Sequence, residues 1–146
     1  MKHREGWLDV YRILLAVGWI DGQLDAREKA LILGSALRDR LSASDLEQLE
    51  EAARWPLTFD DLVPDLEPEE QQFVYGMASL ITALDGVHDP VEDVALDALA
   101  QVLGLAGARR KALDGLMREI TRAGFDPETV EPDALRTQIS QRMAGK

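Results

Sequence analysis

Apolar residues recur at three- and four-residue spacing through most of the chain, and no stretch alternates as a half-buried strand would. Trp7, Val10, Tyr11, Leu14, Leu15 and Val17 form the first stripe, which ends near Ile20. A second helix is expected after Asp25, burying Leu31, Leu33, Gly34, Leu37 and Leu41. Ser44 is placed to cap a third, with Glu47 three residues on as a capping box requires, and Trp55-Pro56 stops it. Pro56 to Pro68 is the least regular part. Pro68 suits the first position of a long helix carrying Phe73, Met77, Leu80, Ile81 and Leu84. Asp89-Pro90 opens another through Val94, Leu96, Leu99, Val102 and Leu103, closed by Gly104. A further helix holds Leu113, Leu116, Met117 and Ile120 and ends at Gly124, and Glu131-Pro132 introduces a last one with Leu135, Ile139 and Met143. The pattern predicts an all-α fold, a compact bundle of about seven helices with short connections.

A chain of 146 residues fits one domain with a single core. Its 27 acidic and 16 basic residues give a formal charge of −11, which on average repels a nucleic-acid duplex. The one compact basic stretch, Arg109-Arg110-Lys111, reads as a solvated helix face. Cysteine is absent, which removes thiolate catalysis, thiolate metal sites and disulfides, and His3 and His88 leave little for imidazole chemistry. The longest uncharged apolar run near the start, Ile13 to Ile20, is too short to span a bilayer, and Glu5 and Asp9 interrupt any signal-peptide layout. A cytoplasmic address and protein partners, with no nucleic acid, are expected.

The informative feature is repetition. Residues 21–28 read Asp-Gly-Gln-Leu-Asp-Ala-Arg-Glu and residues 85–92 read Asp-Gly-Val-His-Asp-Pro-Val-Glu, 64 residues apart. Each Asp-Gly-x-x-Asp-x-x-Glu follows one apolar helix and precedes another, so a duplicated helical hairpin is expected, with units at about 7–54 and 68–123 and an extension at 125–146. Part of the motif reads as helix punctuation. Gly22 and Gly86 suit a left-handed helix end. Asp25 with Glu28, and Asp89 with Glu92, suit the cap and third positions of the next helix. Asp21 and Asp85 fit that account less well. They fall at or just past a helix C-terminus, where a carboxylate costs roughly 0.3–1 kcal/mol. A turn hydrogen bond would offset this, and so would a hard cation held by the surrounding carboxylates and free carbonyls. The octet matches the second half of an EF-hand loop, but the first two ligand positions would be Val17 and Trp19, or Ile81 and Ala83, which excludes a true EF-hand.

With these elements in place the chain resembles the TerB family, found in tellurite-resistance proteins and as a domain in some DnaJ-type co-chaperones. The resemblance rests on the apolar helix running into Ile20-Asp21-Gly22-Gln23-Leu24 with Glu28, on Leu84-Asp85-Gly86 with Glu92, and on Leu103-Gly104-Leu105, over roughly residues 8 to 122. It implies an all-α fold with a two-fold repeat, a role in stress response or metal sensing, and an acidic cluster that binds a divalent metal. Carried over residue by residue, that cluster is Asp21, Asp25, Glu28, Asp85, Asp89 and Glu92, with weakly bound calcium or magnesium as the expected cofactor. His88 and Pro90 depart from the family pattern.

Two other classes compete with this cation-binding scaffold. An enzyme is disfavoured, because His88-Asp89 lacks the further histidines of metal phosphohydrolases, no Glu-x-x-His pair supports a di-iron centre, and no catalytic residue is assigned. Direct capture of tellurite is disfavoured by the negative charge of the motif. A metal-free interaction module is the serious alternative: Trp7 and Trp19 read as core, whereas the stretch from Trp55 to Pro68 mixes Phe59, Leu62 and Val63 with Asp60, Asp61 and Asp65 as a partner surface could.

Overall fold

The computed structural model describes residues 5–19, 26–39, 41–54, 68–82, 90–105, 107–124 and 131–144. They form α1 (Glu5–Gly18), α2 (Ala26–Arg38), α3 (Ala43–Ala52), α4 (Pro68–Thr82), α5 (Pro90–Leu103), α6 (Gly107–Arg122) and α7 (Pro132–Met143), and no strand is present among the described residues. The expected all-α bundle is the observed fold. Pro68, Pro90 and Pro132 each open a helix, where a missing N–H costs nothing and a fixed φ helps. At the end of α5, Gly104 adopts φ 74°, its N–H donates to the Gln101 carbonyl (3.2 Å) and the Leu105 N–H donates to the Ala100 carbonyl (2.8 Å). This double bond to the last turn satisfies carbonyls the helix leaves open, and Leu105 is buried beside it.

Helices α1 and α4 occupy the centre. From Val10 to Val17 every side chain of α1 except Arg12 is buried, and in α4 the run from Gln72 to Ala78 is buried without interruption. A stretch of helix this apolar leaves little face for water, so it must be sheathed by others. Accordingly α1 packs on α2, α3 and α4, while α4 packs on α1, α5, α6 and α7. The close approach of α7 to α4 occurs at Gly76. A Cβ built there would lie 3.0 Å from Ile139 Cδ1 and 3.1 Å from Met117 Sδ, so the glycine makes the notch that Ile139 fills.

The helix boundaries keep the 64-residue displacement of the sequence motif. α1 ends at Gly18 and α2 starts at Ala26; α4 ends at Thr82 and α5 starts at Pro90. Both connections therefore have the same length.

Several local expectations are corrected. Ser42, not Ser44, caps α3: it is extended (φ −68°, ψ 163°) and its hydroxyl accepts from the Asp45 N–H at 3.1 Å, so the capping box through Glu47 does not form. The α3 helix starts two residues earlier than the apolar stripe suggested. Leu37 is 63% exposed and Val94 67% exposed, because α2 and α5 are outer helices whose apolar stripes are wider than the surface they cover. Leu41 is buried as expected, but beyond the end of α2. Trp19 is half-buried, while Trp55 and the stretch to residue 67 lie outside the described residues.

The notch at Gly76 yields a direct test. Gly76→Val should destabilise the protein by about 1–3 kcal/mol through overpacking against Ile139 and Met117. Urea unfolding followed by circular dichroism would measure it, and an unchanged midpoint would mean that α7 does not pack against this face.

Candidate functional site

Two polar constellations interrupt the core, and both are organised by a tyrosine of a central helix. The first lies where α1, α2, α4 and α7 converge. The Arg136 guanidinium donates from Nη1 to Asp39 Oδ1 (2.6 Å), from Nη2 to Asp39 Oδ2 (2.5 Å) and from Nε to Glu70 Oε2 (2.8 Å). The Tyr11 hydroxyl donates to Asp39 Oδ2 at 2.8 Å, and the guanidinium carbon sits 4.1 Å from the centre of the Phe73 ring. Asp39, Glu70 and Arg136 are all buried. Burial alone would lower the pKa of Arg136, but its bonds to Asp39 and the charges of Asp39 and Glu70 outweigh burial and raise it. Burial pushes the Tyr11 phenol well above its usual value, and the Asp39 charge adds to this while Arg136 partly opposes it. The Tyr11 phenol is therefore held neutral and the Arg136 guanidinium charged, and the cluster works as a lock.

The second constellation opens to solvent. Tyr75 and Ser79 of α4, Asp93 and Leu96 of α5, and Arg110, Asp114, Met117, Arg118, Thr121 and Arg122 of α6 line a cleft of about 410 Å³. The Tyr75 hydroxyl donates to Asp114 Oδ1 (2.8 Å) and accepts from Arg110 Nε (2.9 Å), and Arg110 Nη1 pairs with Asp97 on α5. Arg110 thus ties α6 to both α4 and α5. The triplet read as a solvated face is corrected here: its middle residue turns inward, because Tyr75 and two carboxylates supply partners that water would otherwise provide. Burial, reinforced by the hydrogen bond to Asp114, pushes the Tyr75 phenol up to about 12. Arg118 and Arg122 lie about two and three turns further along α6 and have no partner among the described residues. The cleft therefore combines a fixed ion network with two available guanidiniums and an apolar patch from Leu96 and Met117.

Of the six residues expected to hold a cation, Glu28 falls in the first turn of α2, half-buried and engaged with a neighbour. Glu92 is the third residue of α5, with its side chain outside the described residues. Asp21, Asp25, Asp85 and Asp89 lie outside the described residues altogether, as does His88. Among the described residues no group of three or more histidines or carboxylates is placed to hold a metal ion. No helix of the described residues is long and apolar enough to cross a membrane.

Asp39, Glu70, Arg136, Tyr75 and Asp114 were not singled out from the sequence, and Arg110 was read as part of a solvated face, although the signal existed. Glu70 precedes Phe73 and Met77, and Arg136 precedes Ile139 and Met143, at the three- and seven-residue intervals of a buried stripe. A charged residue in such a register has to find a partner inside the protein.

Comparison with known proteins adds one finding. A family model described as "Protein of unknown function (DUF533)" matches residues 12–117, more than half of the chain. No curated protein and no solved structure matches the chain significantly.

Two outcomes follow from the constellations. Arg136→Ala leaves two buried carboxylates uncompensated and should cost about 3–5 kcal/mol in urea unfolding, whereas Arg136→Met, measured in an Asp39→Asn, Glu70→Gln background, should cost far less. Tyr75 is protonated in folded and unfolded chains below its usual value of 10, so no stability depends on it there. Between 10 and about 12 only the unfolded phenol loses its proton, so stability falls as pH rises through that window. Tyr75→Phe should reduce this alkaline loss, leaving the share that the raised Tyr11 phenol contributes, read from melting temperatures at pH 9, 10 and 11; an identical slope would show that the Tyr75 phenol is not perturbed.

Proposed function

The chain belongs to the DUF533 family, and we propose that it works as a non-catalytic, TerB-like binding module that takes an acidic, partly aliphatic segment of a partner protein in the cleft between α4, α5 and α6. The observation that carries this reading is the pair of guanidiniums of Arg118 and Arg122, one turn apart beside the cleft, with no carboxylate partner among the described residues. On a protein with a formal charge of −11, arginines left without carboxylates are the complement of an anionic partner rather than of the protein itself. Leu96 and Met117 add a patch for an aliphatic side chain, and a thioether adapts to more than one shape. Catalysis is not supported by the lining: no histidine is among it, and the Tyr75 phenol, pushed up to about 12, holds its proton at neutral pH.

A second reading is favoured by one observation. The connections α1–α2 and α4–α5 have equal length and carry Asp21 and Asp85, Asp25 and Asp89 at equivalent places, with Glu28 and Glu92 three residues after the second aspartate. Such equivalence supports two matched acidic half-sites for a weakly held calcium or magnesium ion, and with it a metal- or stress-responsive scaffold of the kind linked to tellurite resistance.

The two readings separate experimentally. A fluorescent Glu/Leu-rich peptide should bind at low salt, and Arg118→Glu with Arg122→Glu should weaken it at least tenfold, about 1.4 kcal/mol, without moving the melting temperature. Equal binding of a Lys/Leu-rich control would overturn the cleft assignment. Calorimetry with calcium on chelator-treated protein should give heat that Asp21→Asn with Asp85→Asn abolishes; absence of heat in the unaltered protein removes the cation reading.

A further inference from the structure

The seat of α7 shares Met117 with the cleft but is otherwise a separate surface, with a more selective chemistry. Its charged floor is Asp39 at the end of α2 and Glu70 in α4, and its apolar wall includes Phe73, Gly76 and Met117. All five belong to the stretch matched by the family model, residues 12–117, whereas α7 at Pro132–Met143 lies outside it. We propose that this seat is a binding groove for an arginine-bearing amphipathic helix of a partner protein, with α7 as a built-in occupant that the partner displaces.

Three features make the groove specific. Two buried carboxylates face one guanidinium, and Glu70 Oε1 is buried with no partner among the described residues, so the empty groove would hold an excess of negative charge. The occupant must therefore be cationic. Asp39 receives two parallel N–H donors while Nε reaches Glu70, a fork that arginine provides and lysine does not. Gly76 supplies a notch in which a Cβ would come within 3.0 Å of Ile139 Cδ1, so an aliphatic residue three positions after the arginine is selected by shape. Leu135 and Met143, also buried, complete a pattern of aliphatic residues one before and seven after the arginine.

The same chemistry explains why α7 is displaceable. A buried ion pair has paid desolvation on both partners, so it fixes register more than it adds stability. The outer face of α7, with Ala134, Thr137, Gln138 and Gln141, is exposed, while Asp133 reaches back to Arg136 Nη1 at 3.4 Å. A competing helix with the same inward pattern replaces the contacts of Leu135, Arg136, Ile139 and Met143, and gives up the exposed Arg142–Glu119 pair that α7 makes with α6.

The test uses the full chain and a labelled synthetic peptide of residues 131–146. Anisotropy should show saturable, slow binding, and the Arg136→Ala peptide should bind at least tenfold more weakly. Ile139→Ala in the chain loosens its own α7 without stranding the carboxylates, and should tighten binding of the unaltered peptide at least tenfold. Hydrogen exchange of the unaltered chain needs no variant: amides of α7 should exchange at least tenfold faster than those of α1 and α4. Exchange of α7 at the rate of α1 and α4, or equal binding of the two peptides, overturns the proposal. A concentration-dependent doubling of mass in light scattering, without peptide, would assign the groove to α7 of a second copy and overturn the partner form.

Discussion

The architecture follows from the burial of α1 from Val10 to Val17, Arg12 excepted, and of α4 from Gln72 to Ala78. Such helices cannot lie at a surface, and two of them together bury one another only along a single line of contact. Their remaining faces need α2 and α3 around the first and α5, α6 and α7 around the second. The outer helices are accordingly amphipathic and tolerate exposed Leu37, Val94 and Val102 at their margins. Because apolar burial is the dominant favourable term and has no direction, it explains the bundle but not which face of each outer helix turns inward.

Direction comes from the polar groups that the core admits. Tyr11 and Tyr75 each carry a hydroxyl inward and donate it to a carboxylate; Asp39 is bonded in turn to Arg136, whereas Arg110 donates to the Tyr75 hydroxyl itself. Buried groups of this kind are costly when unpaired, so they exclude registers that hydrophobic packing alone would allow. In one case the arginine comes from α7 and the cluster is sealed. In the other it comes from α6, and the cluster forms one part of an open cleft. The difference between the two is that the first site is filled by the chain's own α7, whereas the second stands open to solvent.

Charge is distributed unevenly over the helices. Carboxylates dominate the sequence, yet α6 carries Arg109, Arg110, Lys111, Arg118 and Arg122 against only Asp114 and Glu119. One helix of opposite sign on an acidic body makes a local positive field, and this field is what the proposed acidic partner would meet. The apolar patch beside Arg118 then adds short-range contact to long-range attraction.

Hydrophobic periodicity, proline and glycine were enough to place all seven helices, and the repeated Asp-Gly-x-x-Asp-x-x-Glu marked two connections that prove equal in length. These are local properties: a stripe, a fixed φ and a left-handed turn act within a few residues. What no local pattern could decide is which side chains meet across the bundle. Arg136 and Asp39 are 97 residues apart, and Tyr75 and Asp114 are 39 apart, so neither partner has meaning until the helices pack. The same holds for Arg110, which a reading of its neighbours assigns to water and which the proximity of Tyr75 and Asp97 turns inward. Tertiary structure chose the pairs because a buried charge is stabilised only by a complementary group at bonding distance, and that distance is set by the whole fold.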